Sequence, residues 1–164
     1  MLFQKSEESP YLKKEGETAM RLSTRCSVAL HCLLFIAEYE HQTKVTSELL
    51  SKSTGCNSAA IRSILNALKK AGLICIFRGV GGAHLAQSPR QITLWDVYHA
   101  LEPDGLKNFI GLHQNPSQKC PVGRSIESVL YKPYQEISAS VQQTMTGITL
   151  QQLLDDYHGQ TPGL

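Results

Sequence analysis

Residues 61–86 constrain the fold more than any other stretch of this chain. Ile61, Ile64, Leu65 and Leu68 recur at i, i+3, i+4 and i+7, which marks one apolar face of a helix. The helix should open at Asn57 or Ser58, residues suited to an N-cap, and close at Ala71-Gly72, where glycine tolerates the left-handed conformation of a helix end. Leu73-Ile74-Cys75-Ile76-Phe77 then reads as a strand, 78–82 as a glycine-rich turn, and Ala83 to Ala86 as a short return strand. A helix running straight into a tight hairpin needs apolar cover from elsewhere in the chain.

The preceding residues supply that cover. Between Ser23 and Tyr39, Val28, Ala29, Cys32, Leu33, Phe35 and Ile36 form a wide apolar face. Thr46 to Ser53 makes a shorter helix with Leu49 and Leu50 inward, and Thr54-Gly55-Cys56 is a turn. Helix, helix, turn, helix and hairpin together predict a mainly α fold with a small β-hairpin wing, the winged helix-turn-helix. Thr93-Leu94-Trp95-Asp96 has capping-box form and opens a helix to Leu101, ahead of Pro103. Trp95 and Tyr98 should pack in the core. Cys120-Pro121 starts a long helix to about Met145, striped by Ile126, Val129, Leu130, Ile137 and Val141, with Pro133 expected to kink or divide it. Thr149 caps a last helix carrying Leu150, Leu153 and Leu154.

The expected organisation is a flexible arm over 1–19, a winged helix-turn-helix over 20–102, a loop over 103–119, dimerisation helices over 120–158 and a tail over 159–164. At 164 residues and 41% apolar composition the chain can bury a core without disulfides. No apolar run reaches membrane-spanning length and no signal-peptide core is visible, so a cytoplasmic protein with no membrane partner is expected. Five irregularly spaced cysteines make no disulfide framework, and the absence of a CxxC pair argues against structural zinc.

The face of the third helix opposite its apolar stripe carries the candidate chemistry. Asn57, Ser58, Ala59, Arg62, Ser63, Asn66, Lys69 and Lys70 lie there or at its start. The small residues allow close approach to base edges, Arg62 can grip guanine with two hydrogen bonds, and the lysines suit phosphates. Such a face alone equally describes the solvated side of a helix. The hairpin directly after it, with Arg78 at its tip, is what points to a duplex. A net charge of +2 neither requires nor excludes nucleic acid. The competing reading is a winged-helix protein-interaction module with no DNA target. No phosphate loop, nucleophile elbow or metal motif supports an enzyme.

Met20-Arg21-Leu22-Ser23-Thr24-Arg25, Leu68 to Ile74, Arg78 to Ala83 and Ile92 to Val97 together resemble the Rrf2 family, the family of IscR, NsrR and CymR. Cys120-Pro121-Val122-Gly123 resembles its YwnA-like branch. The likeness runs from Met20 to about Asp156. It implies a dimeric repressor whose long C-terminal helix pairs with its twin, with Arg62 at a base-reading position and Arg78 as the wing arginine. Cluster-binding relatives carry three closely spaced cysteines before the long helix. This chain has only Cys120 there, so no iron-sulfur cluster or other cofactor is expected. The partners implied are double-stranded DNA, a second copy of the chain, and an unidentified small-molecule or redox effector. Cys120, at a helix N-terminus between Lys119 and Arg124, fits either a redox- or electrophile-sensing thiol or a cysteine that merely caps and packs. Cys26, Cys32 and Cys75 are expected in the core, Cys56 in the turn, and His113 in the solvent-exposed loop.

Overall fold

Apolar periodicity places the first three helices around one core. The structure, a computed structural model, describes residues 24–77, 79, 81–108 and 115–160. The arm over 1–19, Arg78 and His113 therefore lie outside the described residues. Helix α1 spans Thr24–Tyr39, α2 Ser47–Thr54 and α3 Ser58–Lys70. Leu33 and Ile36 of α1, Leu50 of α2, and Ile61 and Leu68 of α3 are wholly buried against one another. Burying each such side chain contributes about 1.5–3 kcal/mol. Val28, Phe35 and Leu49, expected inward, are half-buried at the edge of this core.

The helix ends are set by local chemistry. Thr46 Oγ1 accepts the Leu49 N–H at 3.2 Å to start α2, and Gly55 ends it with φ of 71°. Asn57, rather than Ser58, caps α3: its Oδ1 accepts the Ala60 N–H at 2.8 Å. At the other end Gly72 donates to Lys69 O and Leu73 to Leu68 O, both at 3.0 Å, and the chain turns directly into the wing.

The wing is an antiparallel pair, β1 (Ile74–Phe77) with β2 (Gly82–Leu85), in register from Ile74 opposite Leu85 to Phe77 opposite Gly82. The return strand thus begins one residue before the expected Ala83. The hairpin is joined to the α1–α2 connection: Ala83 N–H donates to Val45 O at 2.9 Å, and Leu85 N–H to Glu40 Oε2 at 2.8 Å. Gly82, with φ of 111°, lies so close to this connection that an added Cβ would stand 2.9 Å from Val45 O.

Helix α4 (Leu94–Leu101) opens on the expected capping box, with Thr93 N–H donating to Asp96 Oδ2 at 2.8 Å and Asp96 N–H to Thr93 Oγ1 at 3.1 Å. Tyr98 is in the core; Trp95 is half-buried, its ring stacked on His99. The segment expected as a plain loop contains a 3-10 turn over Gly105–Asn108.

In the C-terminal region the structure excludes one of the two outcomes expected of Pro133. The long helix α5 runs unbroken over Pro121–Gly147, with Pro133 inside it. The proline removes one N–H from the ladder, but at this exposed position the orphaned carbonyl four residues earlier can turn to water, so the helix is not divided. The last helix, α6 (Leu150–Gln160), does not extend away with α5. It packs against α1, and Leu150 N–H donates to Ile92 O while Leu94 N–H donates to Ile148 O, both at 2.8 Å. Only Met145 of the 27 residues in α5 is buried, and Val129 and Ile137 of the apolar stripe are exposed. No described helix is long and apolar enough to cross a membrane.

The five cysteines separate by environment. Cys26 and Cys32 are buried, Cys56 and Cys75 half-buried, and Cys120 exposed. Cys75 thus lies at the margin of the core, where its Sγ reaches His84 O at 3.8 Å. Burial, with a smaller contribution from Glu102, pushes the Cys26 thiol up to about 11; burial, with neighbouring Cys56, pushes Cys32 up to about 12. The thiolate is the reacting form. In the native protein at about pH 8, iodoacetamide should therefore modify Cys120 first and leave Cys26 and Cys32 untouched until denaturant is added. Peptide mass mapping across a time course checks the order.

Candidate nucleic-acid interface

Helix α3 turns its polar face to solvent. Ala59, Arg62, Ser63, Asn66, Lys69 and Lys70 are exposed, as is the cap Asn57; Ser58 is half-buried. The cap bond ties the Asn57 side-chain oxygen to the Ala60 N–H. Arg62 Nε donates to Ser58 O at 3.2 Å, which leaves the two Nη groups outside that bond. A guanidinium held at its Nε keeps the paired donors that match one edge of guanine. Lys69 and Lys70 stand in the last turn, where they also complement the helix dipole.

Two grooves flank this face. One, of about 820 Å³, runs between α3, the start of α1 and the end of α4; Arg25, Ala59, Arg62, Ser63, Asn66, Lys70 and Pro103 are among its walls. The other, of about 260 Å³, lies between α3, the start of α2 and the wing, walled by Lys44, Thr46, Ser47, Arg62, Asn66, Phe77 and Gly82 among others. Arg62 and Asn66 belong to both and form the ridge between them. Among the described residues no acidic side chain lines either groove. The grooves bring Arg25, Lys44, Arg62 and Lys70 of a chain of net charge +2 to one surface, which suits a polyanion.

The structure thus brings together Ala59, Arg62, Ser63, Asn66 and Lys70 on one surface, while Lys69 lines neither groove. Arg25, Lys44, Ser47 and Phe77 share the two grooves and were not singled out from the sequence. They come from separate segments, and no local periodicity links them to α3. Lys44 Nζ donates to Gly79 O, a bond between the α1–α2 connection and the wing turn.

Three comparisons with known proteins agree. The family profile described as Rrf2, iron-dependent transcriptional regulator, matches residues 22–156. YwnA of Bacillus subtilis (strain 168), described as an HTH-type transcriptional regulator, is 29% identical over 134 residues, covering 82% of this chain and 97% of that protein. A transcriptional regulator structure from Lactobacillus plantarum is similar at 26% identity and a TM-score of 0.68, covering 82% of this chain and 89% of that one. IscR of T. potens shares the fold, with a TM-score of 0.66 at 20% identity over 88% of this chain and 93% of that one. The family description names iron. Among the described residues no group of three or more His, Cys, Asp or Glu side chains is placed to hold a metal ion, and Cys120 has no other cysteine within forty positions. The described donors do not fit an iron-sulfur cluster. The match across 22–156, on a winged helix-turn-helix whose exposed recognition helix lies between two acid-free grooves, establishes that the chain belongs to the Rrf2 family of transcriptional regulators.

Proposed function

We propose that this regulator binds DNA sequence-specifically as a homodimer on a near-palindromic operator and acts as a repressor, the mode that the family resemblance implies. The observation that carries the DNA reading is the ridge of Arg62 and Asn66 between two grooves lined by cations and, among the described residues, by no acidic side chain. A major groove about 12 Å wide admits a helix such as α3. Ala59 and Ser63 are small enough to let its backbone approach, Arg62 reads guanine, Asn66 suits adenine, and Lys69 and Lys70 meet phosphates. Asn57 and Ser58 set the start of the helix against the strand, and Arg78 of the wing is assigned the adjacent minor groove or phosphate.

Helix α5 supports the dimer. Among the described residues only its Met145 is buried, yet Ile126, Val129, Leu130, Ile137 and Val141 keep an apolar stripe in which Val129 and Ile137 are exposed and the other three half-buried. A second copy laid along the stripe would bury it and repeat α3 across a twofold axis, about 34 Å from the first for half-sites one duplex turn apart. The winged helix-turn-helix over 20–102 would then be the reading head and α5 the coupling. Helix α6, seated on α1, belongs with the head.

The signal is assigned to Cys120, the one exposed cysteine of the five, at the first boundary of α5 with Pro121 next to it. Its side chain caps no backbone N–H, so it can react without breaking a bond of the fold. An adduct there would sit on the coupling helix and could turn one head against the other.

Three outcomes test this reading. Arg62→Ala should weaken binding to a selected duplex by about 1–3 kcal/mol and relax preference at one base pair of each half-site. Unchanged affinity and preference in a gel shift would refute the base-reading role. Absence of any salt-dependent duplex binding by the wild type would leave the protein-interaction reading. Sedimentation at micromolar concentration should show a dimer, and Ile137→Asp should yield monomers with unaltered helical content; a monomeric wild type would rule the dimer out. A thiol-alkylating reagent should release the duplex from wild type and leave a Cys120→Ser protein bound. Release from both would move the signal to another residue.

A further inference from the structure

Phe77 is 58% exposed at the last position of β1, and a single exposed aromatic would by itself mean little. Its placement is what carries meaning. The ring lines the smaller groove with Lys44, Arg62 and Asn66, where a large apolar side chain stands among cations. It is also supported from behind. The His84 ring meets it edge-on with centroids 5.5 Å apart, and His84 Nδ1 stands 3.4 Å from Glu40 Oε2. Gly81 leaves it room: a Cβ at that position would lie 2.3 Å from the Phe77 Cβ. Gly81 therefore lies against a side chain whose ring presents much of its surface outward.

We propose that Phe77 is a DNA-contact residue whose ring packs against the apolar face of a deoxyribose, in a strand that lies along the groove between α3 and the wing. This inference rests on the DNA-binding reading. A nucleic-acid strand alternates anionic phosphates with apolar sugar faces. The groove matches that alternation, with Lys44 for a phosphate, Arg62 on the base-reading side and Phe77 between the recognition helix and the wing for a sugar. Thymine methyl groups offer a second apolar surface, but those lie in the major groove, where α3 itself is placed. The ring at the base of the wing is set for the strand between the major groove and the minor groove. Glu40 holds the hairpin through the Leu85 N–H and stands beside His84, and is a positioning residue.

The test uses the full chain and a duplex selected by the wild-type protein from a randomised pool. Phe77→Ala should bind about tenfold more weakly, the loss expected when a contact of roughly 50 Å² of apolar surface disappears. The slope of log affinity against log salt should stay that of the wild type, because no phosphate contact is lost. Phe77→Leu should fall between the two, and both variants should melt within about 2 °C of wild type, since the ring is largely outside the core. Replacing thymine by uracil throughout the duplex should change the affinities of wild type and Phe77→Ala by the same factor. Binding by Phe77→Ala within twofold of wild type overturns the contact while the DNA reading stands. A salt slope reduced by about one shows a displaced wing and also overturns it. A loss of affinity on uracil substitution that wild type shows and Phe77→Ala does not assigns the ring to thymine methyls and overturns the sugar assignment. A wild-type protein that selects no duplex overturns both readings together.

Discussion

The surface proposed to read DNA depends on one backbone contact, the approach of the wing to the α1–α2 connection. Val45 is buried, its carbonyl takes the Ala83 N–H, and Gly82 lies against it at a distance that leaves no room for a side chain. Glu40 accepts the Leu85 N–H from the same side. A two-stranded hairpin is marginal by itself in water. Here it borrows polar partners from a connection that also starts α2, so the angle between wing and α3 is set by main-chain geometry. The groove between them inherits its width from that angle.

What could be read from the sequence divides by range. The ends of α3, its buried Ile61, Ile64, Leu65 and Leu68, and the Thr93–Asp96 capping box are local patterns, and the structure reproduces them. The polar face of α3 was legible for the same reason, because helical period alone separates it from the core. The grooves were not. Arg25, Lys44 and Phe77 meet α3 only after α1, the α1–α2 connection and the wing have been packed, and no spacing within the chain encodes that meeting. Amphipathic pattern likewise shows that α6 must bury Leu150 and Leu154, but not against which neighbour; the bridge between Thr93 and Thr149 turns it back onto α1. Pro133 pointed to a kink or a division, and α5 excludes the division for a physical reason. A proline breaks a helix where its orphaned carbonyl is shut away from water, and on α5 the carbonyl is not.

Cation placement and helix exposure together divide the molecule into surfaces of different kinds. The α3 side is polar and lacks acids in its grooves, whereas α5 offers an apolar stripe interrupted by the ion pair Lys132–Glu136. These chemistries suit different partners, a polyanion and a helix, and they do not compete for one surface.

Among the described residues, helix α5 is buried near its C-terminal end, where Met145 is buried and Val141 packs against the core. At about 1.5 Å per residue its 27 residues extend roughly 40 Å. It is therefore a lever with its fulcrum at the root. A tilt of about 5° at the root would carry the far end sideways by about 3.5 Å, close to the rise of one base pair. In a dimer joined along α5, the spacing of the operator half-sites would be written at the hinge, in the packing of Val141 and Met145 on α4 and the core. Substitutions there that leave α3 untouched would change which operators fit without changing which bases are read.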